Sequence, residues 1–169
     1  MNGRHKMKIA VYSGSFDPVT KGHQDIIAKV SQMVDKLIVL VIGNSNKKGW
    51  FNFEERKELL ATVLGDIPNV EIRSYDGLLV DFMREEGATV IVRGLRAVSD
   101  FEYELMYAFN NHDLSDGKVN TIFVPASRQY MYLSSSGVRE AALCGARLDL
   151  FVDEKIIDKI KERAKEHSK

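Results

Sequence analysis

One stretch near the start of the chain, GSFDPVTKGH at 14–23, constrains the fold more than any other. It follows the short apolar run IAVY at 9–12, which is typical of a buried strand. Apolar residues with the spacing of one helix face come after it, namely Ile26, Ile27, Val30, Met33 and Val34. The stretch is therefore predicted to be a turn between a first strand and a first helix.

The residue types in this turn favour an anion site. Gly14 lets a ligand approach the backbone closely, and Asp17-Pro18 makes a tight bend. Gly22 and His23 fall at the predicted helix N-terminus, where unpaired N–H groups attract anions. His23 can also carry or donate a proton near neutral pH. The alternative is an ordinary turn with a solvent-facing histidine, but the convergence of these residues favours a phosphate site.

The rest of the chain alternates predicted strands with predicted helices. Further strands are expected at 36–42, 69–75, 89–92 and 119–124. A second helix is expected to begin at Phe53, with Asn52 as its N-cap, and a third spans 78–86 with Gly87 as its C-cap. A fourth is expected from a capping box at Ser99 to His112. A fifth is expected to begin at Ser134–Ser136, and a last one carries Ile156, Ile157, Ile160 and Ala164. This alternation predicts an α/β protein with a five-stranded parallel sheet and right-handed crossovers.

Ligands of parallel sheets bind beyond the carboxyl ends of the strands. Strand one ends at the 14–23 turn, strand two at Lys47 and strand four at Arg93 and Arg96, and strand five leads towards the serine cluster at 134–136. We expect these strand ends to form one site. For Arg93 a structural ion pair is the alternative, and for Lys47 a solvated loop.

The predicted helix at 99–112 is apolar around most of its circumference. It carries Phe101, Tyr103, Leu105, Met106, Tyr107 and Phe109. Such a helix must be covered on more than one side. Burial within the domain, an oligomer contact and a pocket wall all remain open as explanations.

Composition excludes several classes of partner and compartment. The 24 basic and 24 acidic residues balance, so we expect neither DNA nor RNA as a partner. The longest apolar run, at 37–42, is too short to cross a bilayer, so no membrane association is expected. The single cysteine, Cys144, fits a reducing cytoplasm and is expected to be a small buried residue. We interpret 7–165 as one domain and 1–6 as a tail, disordered or left by cloning.

The common nucleotide and metal signatures are missing. The chain has no GxxxxGK[ST] and no GxGxxG, and no cysteine or histidine spacing suggests a metal site. The candidate ligand-binding groups that remain are basic side chains and helix N-termini. That set fits phosphoryl or nucleotidyl transfer, in which positioning and charge stabilisation dominate.

The motifs resemble a known family. GSFDPVTKGH resembles the (H/T)xGH signature of nucleotidyltransferases, and LSSSGVR at 133–139 resembles their ISSTxxR signature. RGLRAVSDFEYE at 93–104 and NKKGWFNFEER at 46–56 are similar to bacterial phosphopantetheine adenylyltransferases. The resemblance spans about 7–165. It implies a Rossmann-like fold and transfer of AMP from ATP to 4′-phosphopantetheine, giving dephospho-coenzyme A and pyrophosphate. It also implies Mg²⁺ bound with ATP, a cytoplasmic homohexamer, and coenzyme A as an inhibitor.

The resemblance assigns roles by position. Catalytic roles fall on His23, as transition-state stabiliser, and on Lys47. ATP contacts fall on Ser15, Phe16, His23, Gly94, Leu95, Arg96, Glu104, Tyr130, Met131, Tyr132, Leu133, Ser134, Ser135 and Ser136. Contacts with the acceptor fall on Ser15, Lys47, Leu79 and Arg93. No residue is assigned to a metal.

Three other functions fit the sequence less well. A sister adenylyltransferase for nicotinamide mononucleotide or a cytidylyltransferase is disfavoured by the SDFEYE segment and by the lack of an RTxGISTT segment. A non-catalytic nucleotide-binding module is disfavoured by the presence of His23 and Lys47. A purely structural oligomer would leave the converging strand ends unexplained.

Overall fold

A computed structural model of the protein describes residues 7–43, 49–65, 67–96 and 98–168, without the side chains of 98–100. The strands are β1 (Ile9–Gly14), β2 (Lys36–Ile42), β3 (Val70–Tyr75), β4 (Val90–Leu95) and β5 (Asn120–Pro125). The helices are α1 (Lys21–Ser31), α2 (Phe53–Leu64), α3 (Leu79–Glu85), α4 (Val98–Leu114), α5 (Ser135–Leu143) and α6 (Ile157–His167). Short 3₁₀ turns lie at Arg128–Tyr130 and Glu154–Ile156. The predicted tail at 1–6 and Lys47 lie outside the described residues.

The strands form one parallel sheet in the order β3-β2-β1-β4-β5. The predicted α/β class, the five parallel strands and the Rossmann-like arrangement are confirmed. Side chains alternate between the two faces of β1: Ala10 and Tyr12 join the core under α1, α2, α5 and α6, whereas Val11 joins the core under α3. The sheet is thus covered on both faces, which explains why β2 is an unbroken apolar run.

Two predicted helix starts are confirmed by their caps. The main-chain N–H of Glu55 donates to Asn52 Oδ1 (2.9 Å), and the N–H of Asn52 donates back to Glu55 Oε2 (2.7 Å). Ser134 caps α5 by accepting a hydrogen bond from the N–H of Gly137 (3.0 Å). Both caps satisfy N–H groups that a helix start leaves unpaired.

Other local expectations are wrong. The helix α4 already includes Val98, so Ser99 is its second residue and cannot be its N-cap. The helix α1 ends at Ser31 because the chain turns into β2, which leaves Met33 beyond the helix and 63% exposed. Cys144 is exposed rather than buried. It lies two residues past buried Ala142, about half a turn around the helix from the buried side.

The described aromatic and apolar side chains of α4 are not buried within the domain. Those of Phe101, Tyr103, Met106, Tyr107 and Phe109 are between 41% and 61% exposed. Leu114, the last residue of α4, is 57% exposed, and Ile122 of β5 is 39% exposed. Of the three explanations left open by the sequence, burial inside the domain is therefore excluded for these residues.

Candidate active site

A cavity of about 330 Å³ opens at the carboxyl ends of β1 and β4. It is lined by Tyr12, Gly14, Ser15, Thr20, Gly22, His23, Ile26, Arg93, Gly94, Arg96, Glu104, Ala126, Leu133, Ser134, Ser135, Ser136 and Arg139. The first turn, the end of β4 and the serine cluster therefore meet as the strand-end rule predicted. The contribution of Lys47 to this rim lies outside the described residues.

His23 is the third residue of α1 and is fixed by the residue that caps this helix. The Thr20 hydroxyl accepts a hydrogen bond from the His23 N–H (3.3 Å), and the Thr20 N–H donates to Nδ1 of His23 (3.1 Å). A main-chain N–H can only donate, so Nδ1 must be the acceptor. The neutral ring therefore carries its proton on Nε2. The ring also packs edge-on against Phe16, with centroids 5.0 Å apart.

The surroundings of His23 keep its ring neutral. Burial and, to a smaller extent, the positive charge of Arg96 together lower the pKa of His23 to about 4. At neutral pH His23 therefore acts as a neutral hydrogen-bond donor. This narrows the sequence-based expectation, which allowed His23 either to carry a proton or to donate one.

Asp17 holds the first turn against three other parts of the chain. Its carboxylate accepts hydrogen bonds from the N–H groups of Trp50 (3.0 Å) and Phe51 (2.9 Å). Arg56 lies 3.6 Å and Arg139 3.5 Å from the same carboxylate. Sequence reasoning treated Asp17 only as a bend, because its partners lie 33 or more positions away and no local signal marks them.

The N-terminus of α5 is tied to the same turn. The Ser135 hydroxyl donates to the main-chain oxygen of Pro18 (2.8 Å). Arg139 donates to the main-chain oxygen of Asp17 (2.5 Å) and to the Ser136 hydroxyl (3.2 Å). These contacts bring the N-termini of α1 and α5 to one cavity, where both can receive phosphate oxygens. Arg139, the last residue of LSSSGVR, was expected to add positive charge at this rim but was assigned no ligand contact.

Arg93 and Glu104 form a two-point ion pair across the cavity wall. Nε of Arg93 donates to Oε2 (2.5 Å) and Nη2 donates to Oε1 (2.8 Å). Nη1 also donates to the main-chain oxygen of Ser13 (3.0 Å). The ion-pair alternative for Arg93 is therefore present in the structure. It leaves a ligand role open, because Nη2 has two N–H groups and Glu104 uses one of them.

The structure brings most of the predicted site residues to this cavity, but not all. Ser15, His23, Gly94, Arg96, Glu104 and the stretch from Leu133 to Ser136 line it. Phe16 is 1% exposed and is not among the lining residues; its ring packs behind His23, with centroids 5.0 Å apart. Leu95 lies at the end of β4, where its main-chain oxygen accepts from the N–H of Ala126 (2.8 Å).

The remaining predicted residues lie beside the cavity or away from it. Tyr130 and Tyr132 line a neighbouring cavity. Met131, which lies between them in sequence, directly follows the 3₁₀ turn at Arg128–Tyr130. Leu79, predicted to contact the acceptor, is the first residue of α3 and packs against the core on the opposite face of the sheet. It is therefore not among the residues that line the main cavity. The α3 helix starts from the end of β3, which is an edge strand two places from β1.

Two kinds of feature are missing from the described part of the chain. Within it, no helix combines the length and hydrophobicity that crossing a bilayer requires. The same residues contain no group of three or more His, Cys, Asp or Glu side chains placed to hold a metal ion.

The chain resembles known proteins along nearly its whole length. Residues 11–141 match the cytidylyltransferase-like family. Phosphopantetheine adenylyltransferase from Fusobacterium nucleatum is 48% identical over 161 residues, covering 95% of this chain and 99% of the relative. The enzyme of the same name from Clostridium tetani is 50% identical, covering 91% and 96%. Among solved structures, nicotinic acid mononucleotide adenylyltransferase from Plasmodium falciparum aligns with a TM-score of 0.67 at 15% identity, covering 96% of each chain, and shows a common fold.

Proposed function

The chain belongs to the cytidylyltransferase-like family and, within it, to the phosphopantetheine adenylyltransferases, and we propose that it transfers AMP from ATP to 4′-phosphopantetheine. The products are dephospho-coenzyme A and pyrophosphate, which places the reaction in coenzyme A biosynthesis. In this transfer an oxygen of the acceptor phosphate bonds to the α-phosphorus of ATP. The bond from that phosphorus to the bridging oxygen breaks, and the electron pair leaves with pyrophosphate.

The observation that best supports this function is the neutral His23 at the start of α1, in one cavity with Arg93. The acceptor phosphate is already an anion at neutral pH, so no protein group has to deprotonate it. The barrier lies in bringing two anions together and in the charge that builds on the α-phosphate. A neutral Nε2–H can stabilise that charge without competing for a proton.

The other charged and polar groups of the cavity bind different phosphates. Arg93 reaches the acceptor phosphate with its remaining N–H capacity, and Lys47 adds a second positive charge to that side. The N-terminus of α5, with Ser134 to Ser136 and Arg139, receives the β- and γ-phosphates as they leave. Asp17 acts on neither substrate and positions the turn that carries Ser15.

A divalent ion is the expected companion of ATP here. The described carboxylates and histidines form no cage, so the proposal is that Mg²⁺ arrives bound to the ATP phosphates. Mg²⁺ suits this because it keeps several of its waters and needs few protein ligands. When bound, it would supply charge neutralisation on the phosphates.

We also propose that the chain works in the cytoplasm as an oligomer larger than a dimer, with six copies as the expected number. The support is the exposed α4 face, formed by Phe101, Tyr103, Met106, Tyr107 and Phe109. Five large apolar side chains exposed on one helix are unusual on a protein that stays monomeric. Coenzyme A remains a candidate inhibitor, since it shares the phosphopantetheine arm and the adenylyl group of the product.

Pyrophosphate release from ATP tests the proposed reaction. We expect release with 4′-phosphopantetheine and none without it, together with formation of dephospho-coenzyme A. Nicotinamide mononucleotide in place of the acceptor is the control for a sister activity. Release that requires nicotinamide mononucleotide, or release without any acceptor, would contradict the proposal.

A further inference from the structure

The tyrosine of β1, Tyr12, has no part in the reaction described above, yet its side chain faces the cavity. It is 6% exposed and lines the cavity wall. Its ring lies beside those of Phe16 and His23, with centroids 5.5 Å and 6.4 Å away. Among the described residues none hydrogen-bonds the Tyr12 hydroxyl, and no fully buried polar atom lacks a partner, so this hydroxyl opens on the cavity.

Gly94 of the neighbouring strand β4 leaves the space around the Tyr12 hydroxyl open. A methyl group added to Gly94 would lie 3.4 Å from the Tyr12 hydroxyl oxygen and 3.3 Å from Cγ1 of Ile26. A larger side chain at this position would cover the hydroxyl. Gly94 thus leaves room for a ligand atom over Tyr12, in addition to any contact that its own main chain makes.

The charges and donors nearby define the ligand group. Arg93 and Arg96 act electrostatically on Tyr12, and His23 presents a neutral N–H to the same cavity. Burial raises the pKa of Tyr12 well above its usual value, more than the two arginines lower it. The hydroxyl therefore stays protonated at neutral pH. A protonated hydroxyl, a neutral N–H and two arginines around one cavity complement a bound oxyanion.

We propose that the Tyr12 hydroxyl donates a hydrogen bond to a phosphoryl oxygen of a bound substrate, beside His23 and Arg93. This inference rests on the proposed function, because that function supplies the phosphoryl group. Two sources share this chemistry, the α-phosphate of ATP and the phosphate of 4′-phosphopantetheine. Tyr12 would then be a further catalytic residue of the adenylyl transfer.

Tyr12→Phe removes the oxygen and keeps the ring in its packing with Phe16 and His23. We expect kcat/KM to fall by about 10- to 100-fold, at or below the lower end of what loss of an oxyanion donor costs. The melting temperature should stay within about 2 °C of wild type, since no hydrogen bond inside the protein is lost. Tyr75→Phe is the matched control: its hydroxyl bonds Glu85 (3.3 Å) outside the cavity, so kcat/KM should not change.

Sulfur substitution identifies the oxygen concerned. The wild-type enzyme should be slowed by one epimer of ATPαS more than by the other, or by a thiophosphate analogue of the acceptor, because sulfur is a poor hydrogen-bond acceptor. Loss of that selectivity in Tyr12→Phe supports the proposal, and the analogue affected names the source. Unchanged kcat/KM, or a fall with sulfur selectivity unchanged, overturns it. Wild-type enzyme that releases no pyrophosphate with 4′-phosphopantetheine overturns the proposed function, and this inference falls with it.

Discussion

The main-chain N–H of Thr20 donates a hydrogen bond of 3.1 Å to Nδ1 of His23, and this contact determines which nitrogen of the ring carries the proton. The same threonine caps α1 through its hydroxyl. The helix N-terminus and the orientation of His23 are therefore set by one residue. With Nδ1 occupied by a donor, Nε2–H is the hydrogen-bonding group that His23 can offer to a ligand.

The first prediction concerns His23→Ala. We expect kcat to fall by roughly 100-fold or more, while the affinity for ATP changes little, because the Nε2–H acts mainly on charge that builds in the transition state. Single-turnover pyrophosphate release and calorimetric ATP titration measure the two quantities. His23→Gln, which keeps a neutral donor, should recover part of the loss. An equal loss of ATP affinity with kcat preserved would make His23 a binding residue only.

The sequence was sufficient where local rules decide the structure. The 14–23 stretch joins the end of β1 to the first turn of α1 as predicted, because an apolar strand, a proline bend and a capped helix follow one another within a few residues. The parallel strands then bring Arg93 and the serine cluster to the same edge. These steps need only patterns that are visible within each segment.

Contacts between distant segments could not be predicted in this way. The sequence allowed an ion pair for Arg93 but did not identify Glu104 as its partner, and the structure pairs the two. Asp17 reaches Arg139 across 122 positions, and no single-sequence pattern marks that pair. Leu79, assigned to the acceptor by resemblance, lies at the start of α3 after the edge strand β3 and packs on the far face of the sheet; its role as an acceptor contact stays a prediction.

The second prediction concerns the acceptor phosphate. Arg93→Ala and Lys47→Ala should each weaken 4′-phosphopantetheine binding by about 1.5–3 kcal/mol, the scale of a charge-assisted hydrogen bond. Calorimetry provides the measurement. Arg84→Ala removes an exposed arginine paired with Asp81 and should leave binding unchanged.

Pantetheine without its phosphate separates this role from a structural one. It should bind wild type, Arg93→Ala and Lys47→Ala nearly alike, because the charge that the two cations recognise is gone. If dephosphorylated pantetheine distinguishes the variants as strongly as the phosphorylated form does, these two residues do not bind the phosphate.

The third prediction concerns Asp17→Asn, which removes the negative charge from between Arg56 and Arg139. The Asp17 and Arg56 side chains are each 8% exposed, so the loss leaves buried positive charge and should cost about 3 kcal/mol of unfolding free energy. Urea denaturation measures it. Asp149→Asn, in an exposed pair with Arg147, should cost no more than about 1 kcal/mol. Equal losses in the two variants would mean that Asp17 does not hold the turn.

The fourth prediction concerns assembly through α4. Light scattering at micromolar concentration should give a mass several times 19.1 kDa for the wild type. Phe109→Asp places a charge on the exposed α4 face and should shift the protein to smaller species, because burying that charge at an interface is costly. Leu150→Asp, at another exposed apolar position, should not. A stable monomer in the wild type would refute the proposed oligomer.

The last prediction concerns the metal. Because the described carboxylates and histidines form no cage, calorimetry should detect negligible Mg²⁺ binding to the protein without nucleotide. Activity should nevertheless vanish in EDTA and return when Mg²⁺ is added in excess. Stoichiometric binding without nucleotide would reveal a protein metal site. Activity that survives complete chelation would show that Arg93, Arg96 and Arg139, which already line the cavity, neutralise the phosphates without a divalent ion. His23 adds no charge to that set, since its ring is neutral, so such an enzyme would depend on its arginines and Lys47 and lose activity steeply with added salt.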